Sequence, residues 1–409
     1  MAGALSAFRI CDFTGQLAGA GATKWMASFG AEVIRIEDPV QQGRWDILRG
    51  NPPFKEGQAG LDYGGAFNNH NVNKLGITLN LRTEQGKEIL TELIRQSDVV
   101  CENFAKGVMA RWGFDYEAMK AIKPDIIYVS NCGFGQQGPY SDFKTWGPIV
   151  QAVSGLTFSS ALKDKEPAGW GYSYMDHTGA YYMAMAILMA LFHRERTGEG
   201  QWVDMSCTDT ALTLHGPAIL DWTVNNRPLR RDGQPDSNRE LWPPMVPHGI
   251  YPCQGEDNWL AIACEDDQQW QQLCAVSGLE ASTEWSALSG RISAQNQIDQ
   301  LLASWTRDQD KVELSQRLQQ AGVAAAPVYK PRERIDEDPN TGNFGLWSEV
   351  EHSAMGKVRV DGQPVHFSRT DWDIKRGGPC LGEHNAQVLM ELLGYSAQQV
   401  EQFRAEGVI

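Results

Sequence analysis

Residues 7–37 read AFRICDFTGQLAGAGATKWMASFGAEVIRIE, and this stretch decides the fold class. Ala7–Phe13 is a largely apolar run typical of a buried strand, and Thr14–Gly21 is a glycine-rich turn. Ala22–Phe29 has a helical pattern, and Ala31–Glu37 is typical of a second strand. Two strands joined through a helix form a βαβ unit, in which the strands run parallel.

The same alternation continues along the chain. A helical pattern over Glu84–Gln96 leads into a predicted strand at Asp98–Asn103, and further strands are predicted at Asp125–Ser130 and Gln201–Ser206. Strands that alternate with helices predict an α/β fold with a Rossmann-like large domain, whose parallel sheet is covered on both faces. Helix 178–194 is apolar almost all round, which predicts that it lies inside the protein.

Changes in composition divide the chain into two predicted domains. Residues 1–220 are expected to form the first part of the large α/β domain, and 346–409 its C-terminal part. Polar, proline-rich and weakly periodic stretches predict linkers at 221–235 and 329–345. Between the linkers, 236–328 is expected to form a smaller α+β domain.

The overall composition is that of a folded globular protein, with 42% hydrophobic and 21% charged residues. The formal net charge of −15 argues against nucleic acid and against an anionic membrane as partners, because both attract basic surfaces. An anionic ligand would therefore need a local basic pocket of its own.

The eight cysteines are spread along the chain without a CxxC pair, which predicts reduced thiols in a cytoplasmic protein. No signal-peptide pattern is visible at the start, and the longest apolar run, Ala180–Phe192, is shorter than the roughly 20 residues of a spanning helix. The sequence also contains no HExxH or GxSxG motif. We expect no membrane segment, no metal site and no prosthetic group.

Two segments at predicted strand ends suit an anionic ligand. The turn Thr14–Gly21 could bring backbone N–H groups to a phosphate, although its spacing is not GxGxxG and a simple tight turn explains it equally well. Glu102–Arg111 reads ENFAKGVMAR. There Phe104 could stack on an adenine, and Lys106 or Arg111 could meet phosphates. The alternative is an amphipathic helix with solvated charges.

The most informative segment is Gly171–Gly179, which reads GYSYMDHTG and precedes the apolar helix. Asp176 could cap that helix, because aspartate is among the best capping residues. With an ordinary pKa of about 4, it would also be ionised at neutral pH and could attack a carbonyl without a general base. Four aromatic residues nearby could line an acyl pocket: Trp146, Trp170, Tyr172 and Tyr174.

Several short motifs, taken in order, resemble those of one family. They are Asp12-Phe-Thr, Ala18-Gly19, Gly30–Glu37, Asn73-Lys74, Glu102-Asn-Phe104, Asp176, Thr197–Gln201, Gly322–Pro327 and Leu381–His384. The combination resembles the class III CoA-transferases, which include formyl-CoA, carnitine and benzylsuccinate CoA-transferases. The resemblance spans nearly the whole chain.

This resemblance implies a large α/β domain built from both chain ends and a homodimer whose chains interlock like links. It places Asp176 at the family's catalytic aspartate, which would form an anhydride with the donor acyl group and then an aspartyl-CoA thioester. Coenzyme A thioesters and carboxylic acids would be the substrates. By position, the candidate contacts with CoA are Gln16, Ala18, Asn73, Lys74, Asn103, Phe104, Arg111 and Lys144.

The sequence departs from formyl-CoA transferase at three places. Leu17 stands where that enzyme has a glutamine, Asp38 replaces a basic residue, and Trp242–His248 lacks its glycine-run flap. A bulkier acyl group than formyl or oxalyl is therefore expected. We predict succinyl-CoA as a donor and an aryl-substituted dicarboxylate of the benzylsuccinate or benzylmalonate type as an acceptor.

Three alternatives stay open at this stage. A 2-methylacyl-CoA racemase of the same family needs a catalytic histidine upstream of the aspartate, and Lys144–Gln151 contains none. An NAD-dependent dehydrogenase would explain the first βαβ unit and the acidic Glu37. A noncatalytic partner in a heteromeric transferase is disfavoured by the presence of Asp176.

Overall fold

The computed structural model describes residues 3–160, 165–171, 173–232, 237–280 and 282–409. They form two compact units. The first unit takes in the chain up to Ser160, Ala168–Pro217 and Asn340–Ile409, so it combines both ends of the sequence. The second unit is built mainly from Ala218–Pro339.

The first unit is organised around a sheet of six strands in the order β3-β2-β1-β4-β5-β6. Its strands are β1 (Arg9–Phe13), β2 (Glu32–Glu37), β3 (Leu75–Thr78), β4 (Val99–Glu102), β5 (Ile127–Cys132) and β6 (Trp202–Ser206). All neighbouring pairs are parallel. In the central strand, Cys11 lies opposite Ile34 on one side and Val100 on the other. The predicted α/β fold with a parallel sheet is confirmed.

Helices connect and cover these strands. They are α1 (Ala20–Ser28), α2 (Gly65–His70), α3 (Glu84–Arg95), α4 (Val108–Trp112), α5 (Tyr116–Ile122), α6 (Gly147–Val153), α7 (Leu156–Ser159), α8 (Tyr174–Thr197) and α9 (Cys207–Leu212). Helix α3 illustrates how the sequence sets an element. The Thr83 side chain caps it by accepting a hydrogen bond from the backbone N–H of Gly86, and its apolar face is buried.

Each face of the sheet carries its own hydrophobic core, because successive strand residues point to opposite sides. Ile34 and Val100 belong to the core that contains the apolar residues of α3. Their neighbours Val33 and Val99 belong to the opposite core, which contains Met183 of α8. The two cores explain why the strands have continuous apolar runs rather than alternating ones.

Helix α8 is not buried all round, so that prediction is wrong. One side, with Ala180, Met183 and Ile187, is buried against the sheet. The opposite side forms a stripe of large apolar residues that are between 42% and 64% exposed: Tyr181, Met185, Leu188, Met189 and Phe192. Residues spaced by three or four positions share one helix face, so this stripe is continuous. We call it the α8 stripe.

The second unit combines an antiparallel sheet, β7 (His248–Pro252), β8 (Trp259–Ala263) and β9 (Ala324–Val328), with several helices. The helices are α10 (Gly216–Asn225), α11 (Asp267–Ser277), α12 (Leu288–Ser293), α13 (Gln295–Thr306) and α14 (Lys311–Gln320). The end of α10 lies within 221–235, where the sequence predicts a linker. The core of the second unit contains Leu260, Trp270 and Leu318, which are fully or almost fully buried.

The C-terminal part of the chain returns to the first unit with α15 (Pro339–Phe344), the hairpin β10 (Trp347–His352) and β11 (Gly356–Asp361), and α16 (Ala397–Ala405). Shorter 3₁₀ and π turns lie at Lys55–Gly57, Thr213–His215, Thr283–Ser286, Glu333–Glu337 and Gln387–Leu392. Val388 and Phe403 enter the same core as α3. Within the described ranges no helix is both long and apolar enough to span a bilayer.

Candidate active site

The strand order of the large sheet reverses between β1 and β4, and open parallel sheets bind ligands at such a point. A cavity of about 280 Å³ lies there. Gly15, Asn103 and Gly133, which follow β1, β4 and β5, line it together with Asp176. All of these residues belong to the first unit.

Asp176 sits in the first turn of α8 and faces this cavity. It does not cap the helix, because Ser173 holds the cap position. Among the residues that the structure describes, none gives the Asp176 carboxylate a hydrogen bond or an ion pair. Burial therefore raises its pKa from 3.8 to about 7. The expectation of an ordinary pKa is wrong: desolvation outweighs the favourable field of the helix N-terminus.

Glycine at position 147 makes room for this carboxylate. Gly147 begins α6, and a Cβ atom there would lie 2.9 Å from Asp176 Oδ1 and 2.6 Å from the Cβ of Ser173. Both distances are shorter than a normal van der Waals contact. A larger residue would therefore displace the start of α8 or the carboxylate itself.

Asn103 ties together the two strand ends on either side of the reversal. Its Oδ1 accepts a hydrogen bond from the backbone N–H of Gly15 at 2.7 Å, and its Nδ2 donates to the Gly15 carbonyl at 3.0 Å. Gln16, which follows Gly15 in the chain, has a left-handed backbone with φ 54°. Gln16 and Ala18 line the cavity on the same side. Asn103 thus fixes the loop that presents them.

Phe104 and Trp45 form an aromatic wall, with ring centroids 5.0 Å apart. Both rings line the cavity and also a second one of about 230 Å³. The second cavity is lined by Trp112 and Arg82 among others. The shared wall makes the two spaces neighbours, which suits a long ligand.

Two lysines supply positive charge to this cavity. Lys106 and Lys144 are the cationic side chains among the described residues that line it. Lys106 Nζ donates a hydrogen bond to Ser141 Oγ at 2.7 Å and lies 3.5 Å from a carboxylate oxygen of Asp142. In a chain with a net charge of −15, these lysines provide the local basic character that an anionic ligand requires.

Three predicted contact residues do not line the cavity. Lys74 is fully buried, and its Nζ donates to Thr23 Oγ1 at 2.7 Å and lies 3.1 Å from Asp12 Oδ2. Asn73 Oδ1 accepts a hydrogen bond from the backbone N–H of Lys375 at 2.8 Å. Arg111 is exposed on α4. The remaining candidates line the cavity: Gln16, Ala18, Asn103, Phe104, Lys144 and Asp176.

Lys74 belongs to a buried set of charges beneath the cavity loops. Arg35 is fully buried, and its guanidinium donates to the Thr14 carbonyl at 2.6 Å and to Asp46 Oδ2 at 2.8 Å. Arg49 donates two hydrogen bonds to Glu37, at 2.8 and 2.6 Å. Paired charges of this kind hold the backbone in one arrangement, since breaking any pair leaves a buried ion.

The aromatic lining differs in part from the prediction. Trp146 lines the cavity. Trp170 and Tyr174 lie outside its lining, exposed and in edge-to-face contact with each other, and Tyr172 falls outside the described residues. Other residues that line the cavity are not among the predicted ones, such as Trp45, Asn131, Phe143, Gly147 and Cys207. Within the described residues, no group of three or more His, Cys, Asp or Glu side chains could hold a metal ion.

Comparison with known proteins gives one consistent family. Residues 5–385 match the profile of CoA-transferase family III. The succinate–glutarate CoA-transferase of Agrobacterium fabrum is 31% identical over 95% of this chain and 95% of its own length. The formyl-CoA:oxalate CoA-transferase of Streptomyces coelicolor is 32% identical over 99% of both chains.

A solved structure has the same fold as this chain. The crystal structure of a CAIB/BAIF family protein from Brucella suis superimposes with a TM-score of 0.84 and 28% identity, covering 96% of this chain and 100% of that one. Family, relatives and structure all cover almost the entire sequence. The protein is therefore a CoA-transferase, and the chain belongs to CoA-transferase family III.

Proposed function

We propose that this enzyme moves CoA from an acyl-CoA donor to a carboxylic acid acceptor, with the Asp176 carboxylate as the nucleophile. One observation carries the proposal. Asp176 is the acidic side chain among the described residues that line the cavity, and it lies free of hydrogen-bonding partners among them. A desolvated, unpaired carboxylate is a stronger nucleophile than a solvated one once it is ionised.

The reaction follows from carboxylate and thiolate chemistry alone. An Asp176 oxygen attacks the donor thioester carbonyl, the C–S bond breaks, and CoA leaves as a thiolate, giving a mixed anhydride. The thiolate then attacks the Asp176 acyl carbon and expels the donor carboxylate, which leaves an aspartyl-CoA thioester. The acceptor carboxylate attacks the carbonyl of this thioester and expels CoA thiolate, which gives a second mixed anhydride. The thiolate then attacks the acceptor's acyl carbon and expels the Asp176 carboxylate. Asp176 is regenerated, and no prosthetic group takes part.

For CoA itself, the proposed contacts are the predicted residues that line the cavity. The ring of Phe104, beside Trp45, offers a flat apolar surface, and Lys144 offers a cation for a phosphate. Asn103 acts by fixing the Gly15 loop. We assign Asn73 and Lys74 to internal support, because their side chains already make the hydrogen bonds described above.

The proposed substrates are succinyl-CoA as donor and an aryl-substituted dicarboxylate as acceptor. Four aromatic rings line the cavity: Trp45, Phe104, Phe143 and Trp146. The name of the Agrobacterium relative includes two dicarboxylates, succinate and glutarate. With succinyl-CoA as donor, benzylsuccinate and benzylmalonate should be better acceptors than glutarate, oxalate or acetate. Activity on the small aliphatic acids alone would reject the aromatic part of the proposal.

A variant pair tests the nucleophile. Asp176→Asn should abolish CoA exchange between acids. Asp209 is a matched control, because it holds the same third position of α9 and is exposed. Asp209→Asn should retain nearly full activity. Full activity of Asp176→Asn would rule out the assignment.

The related racemase reaction is disfavoured, because no histidine is found among the described residues that line the cavity. Incubation with a 2-methylacyl-CoA in deuterated buffer should give no α-deuterium without an acceptor acid. The family membership leaves no support for a nicotinamide-dependent dehydrogenase. A heteromeric working form remains an alternative to the homodimer.

We propose that the working form is an interlocked homodimer in the cytoplasm. The α8 stripe supports a partner, because contiguous exposed apolar residues on a soluble protein mark interaction surfaces. Light scattering should give twice the chain mass of 45.4 kDa. Interlocking predicts that differently tagged dimers do not exchange chains unless they are unfolded. A monomer in solution would reject the proposal.

A further inference from the structure

Glu102, the last residue of β4, is a buried carboxylate that the proposed chemistry does not use. It is 1% exposed. Its Oε2 accepts a hydrogen bond from the backbone N–H of Phe104 at 2.6 Å, and its Oε1 accepts from the hydroxyl of Tyr128 at 3.1 Å and from Nε2 of Gln136 at 3.4 Å. Three donors from three places in the chain therefore meet on one side chain.

Gln136 extends this contact to a second segment of the cavity. Its Oε1 accepts a hydrogen bond from the backbone N–H of Gly107 at 3.3 Å, and its own backbone N–H donates to Asp204 Oδ1 at 2.8 Å. Glu102 and Gln136 thus join residues 103–107 to residues 133–147. We call these the Asn103 segment and the Lys144 segment.

Both segments line the cavity, and each carries one of its two lysines. The Asn103 segment presents Phe104 and Lys106, and the Lys144 segment presents Lys144 and Trp146. A change of less than an ångström in either segment would move a charge or a ring against the ligand. The Glu102 carboxylate is a buried point of this linkage, and the contacts of Gln136 with Gly107 and of Lys106 with Ser141 join the same two segments.

We propose that ionised Glu102 is a positioning residue that holds the Asn103 and Lys144 segments in the arrangement that binds CoA. This inference rests on the proposed function, since it assumes that the cavity takes CoA. Glu102 would act through the backbone of Phe104 and the side chain of Gln136, without touching the ligand.

The ionised form matters because all three neighbours donate hydrogen bonds to Glu102. A carboxylate accepts all three, whereas a protonated carboxyl group must place its own O–H, and a partner that accepts it, such as the Tyr128 hydroxyl, has to give up the hydrogen bond that it donates. Tyr128 and Cys132 of β5, Asp204 of β6 and Cys101 of β4 surround it, and Asp115 and Glu117 line an adjoining cavity of about 270 Å³. None of these groups is a cation. Burial and the nearby Asp204 carboxylate raise the pKa of Glu102 to about 7.

The test is the binding of free CoA to the full-length Asp176→Asn protein, measured by calorimetry across pH. The Asp176 substitution removes the other carboxyl group near the cavity whose pKa is raised, so that Glu102 is the one that remains. If only the ionised form binds tightly, affinity should rise about tenfold from pH 6 to pH 8, in proportion to the ionised fraction. Adding Glu102→Gln should weaken binding by more than about tenfold at pH 8 and flatten the profile. Titration of the CoA phosphates is common to both proteins and cancels.

A second variant guards against a folding defect. Tyr128→Phe removes one donor and keeps the carboxylate, so the midpoint of the affinity profile should move to higher pH. An unchanged midpoint, or a Glu102→Gln protein that binds CoA like its parent at every pH, would overturn the inference. If the Asp176→Asn protein bound no CoA at any pH, the proposed function would fail as well. Tight binding by this protein with the same affinity at every pH would reject the positioning role of Glu102 and leave the proposed function standing.

Discussion

The raised pKa of Asp176 makes a specific prediction about pH. Burial moves this pKa from 3.8 to about 7. One pKa unit corresponds to about 1.4 kcal/mol, so ionising Asp176 in the empty cavity costs at most about 4 kcal/mol more than in water. Because the nucleophile must be ionised, this group alone should limit the free enzyme to about one tenth of its full activity at pH 6 and about nine tenths at pH 8.

The assay is kcat/KM for the donor thioester between about pH 5 and pH 8, because this quantity reports ionisation of the free enzyme. In Glu102→Gln, which removes the second raised carboxyl pKa near the cavity, kcat/KM should rise about tenfold per pH unit at the acidic end and level off toward pH 8. In the wild type the rise should be steeper, because CoA binding adds the ionisation of Glu102. A flat profile, or a midpoint below about pH 5, would show that Asp176 is ionised without the desolvation cost and refute the reasoning.

Three further predictions concern the scaffold of the site. Gly147→Ala should lower kcat at least about tenfold in steady-state assays, because its Cβ would lie 2.9 Å from Asp176 Oδ1; unchanged kcat would show that the start of α8 adapts. Arg49→Met should lower the free energy of unfolding by about 3–5 kcal/mol, because Glu37 loses both short hydrogen bonds from Arg49 and is left with the longer 3.6 Å contact to Arg35. The exposed control Arg82→Met should lower the free energy of unfolding by less than about 1 kcal/mol in the same denaturant titration. Equal losses in the two variants would show that the buried ion pairs around Glu37 do not stabilise the fold. The pKa of Asp176 is higher in the folded than in the unfolded protein, so its ionisation destabilises the fold increasingly from pH 3.8 to about 7. Asp176→Asn should therefore have a higher melting temperature than the wild type at pH 8 and an equal one at about pH 4. A lower melting temperature of the variant at pH 8 would contradict this.

The large-domain architecture was predictable because its signals are local. The short strand patterns of β1 and β2 and the capped, one-sided helix α3 can each be recognised from neighbouring residues alone. Short β3 gives too few residues for a pattern. The alanine-rich β9 has a composition that favours helix over strand.

Periodicity misjudged α8 because an apolar helix face does not reveal what covers it. Ile187 and Leu188 are equally hydrophobic, yet the first is buried by the sheet and the second is 42% exposed. Only the position of the sheet distinguishes them. The exposed half is the surface that the proposed dimer would bury.

Part of the site was predictable from the sequence, and the difference between the residues that were predicted and those that were missed has a physical basis. Asn103 and Phe104 directly follow a strand, so the sheet places them at its ligand-binding edge. Lys74 precedes β3 instead of following a strand, and its side chain is used inside the protein, where it pairs with Asp12 of β1. Trp45 and Cys207 reach the cavity from distant parts of the chain, which only the tertiary fold brings together.

Trapping the covalent intermediate tests the central claim most directly. The enzyme is incubated with succinyl-CoA without an acceptor, quenched with hydroxylamine, digested and analysed by mass spectrometry. We predict a hydroxamate at Asp176 that depends on the thioester and is absent from the Asp209 control peptide. An unmodified Asp176, or modification of another cavity residue such as Cys207 in its place, would contradict the account.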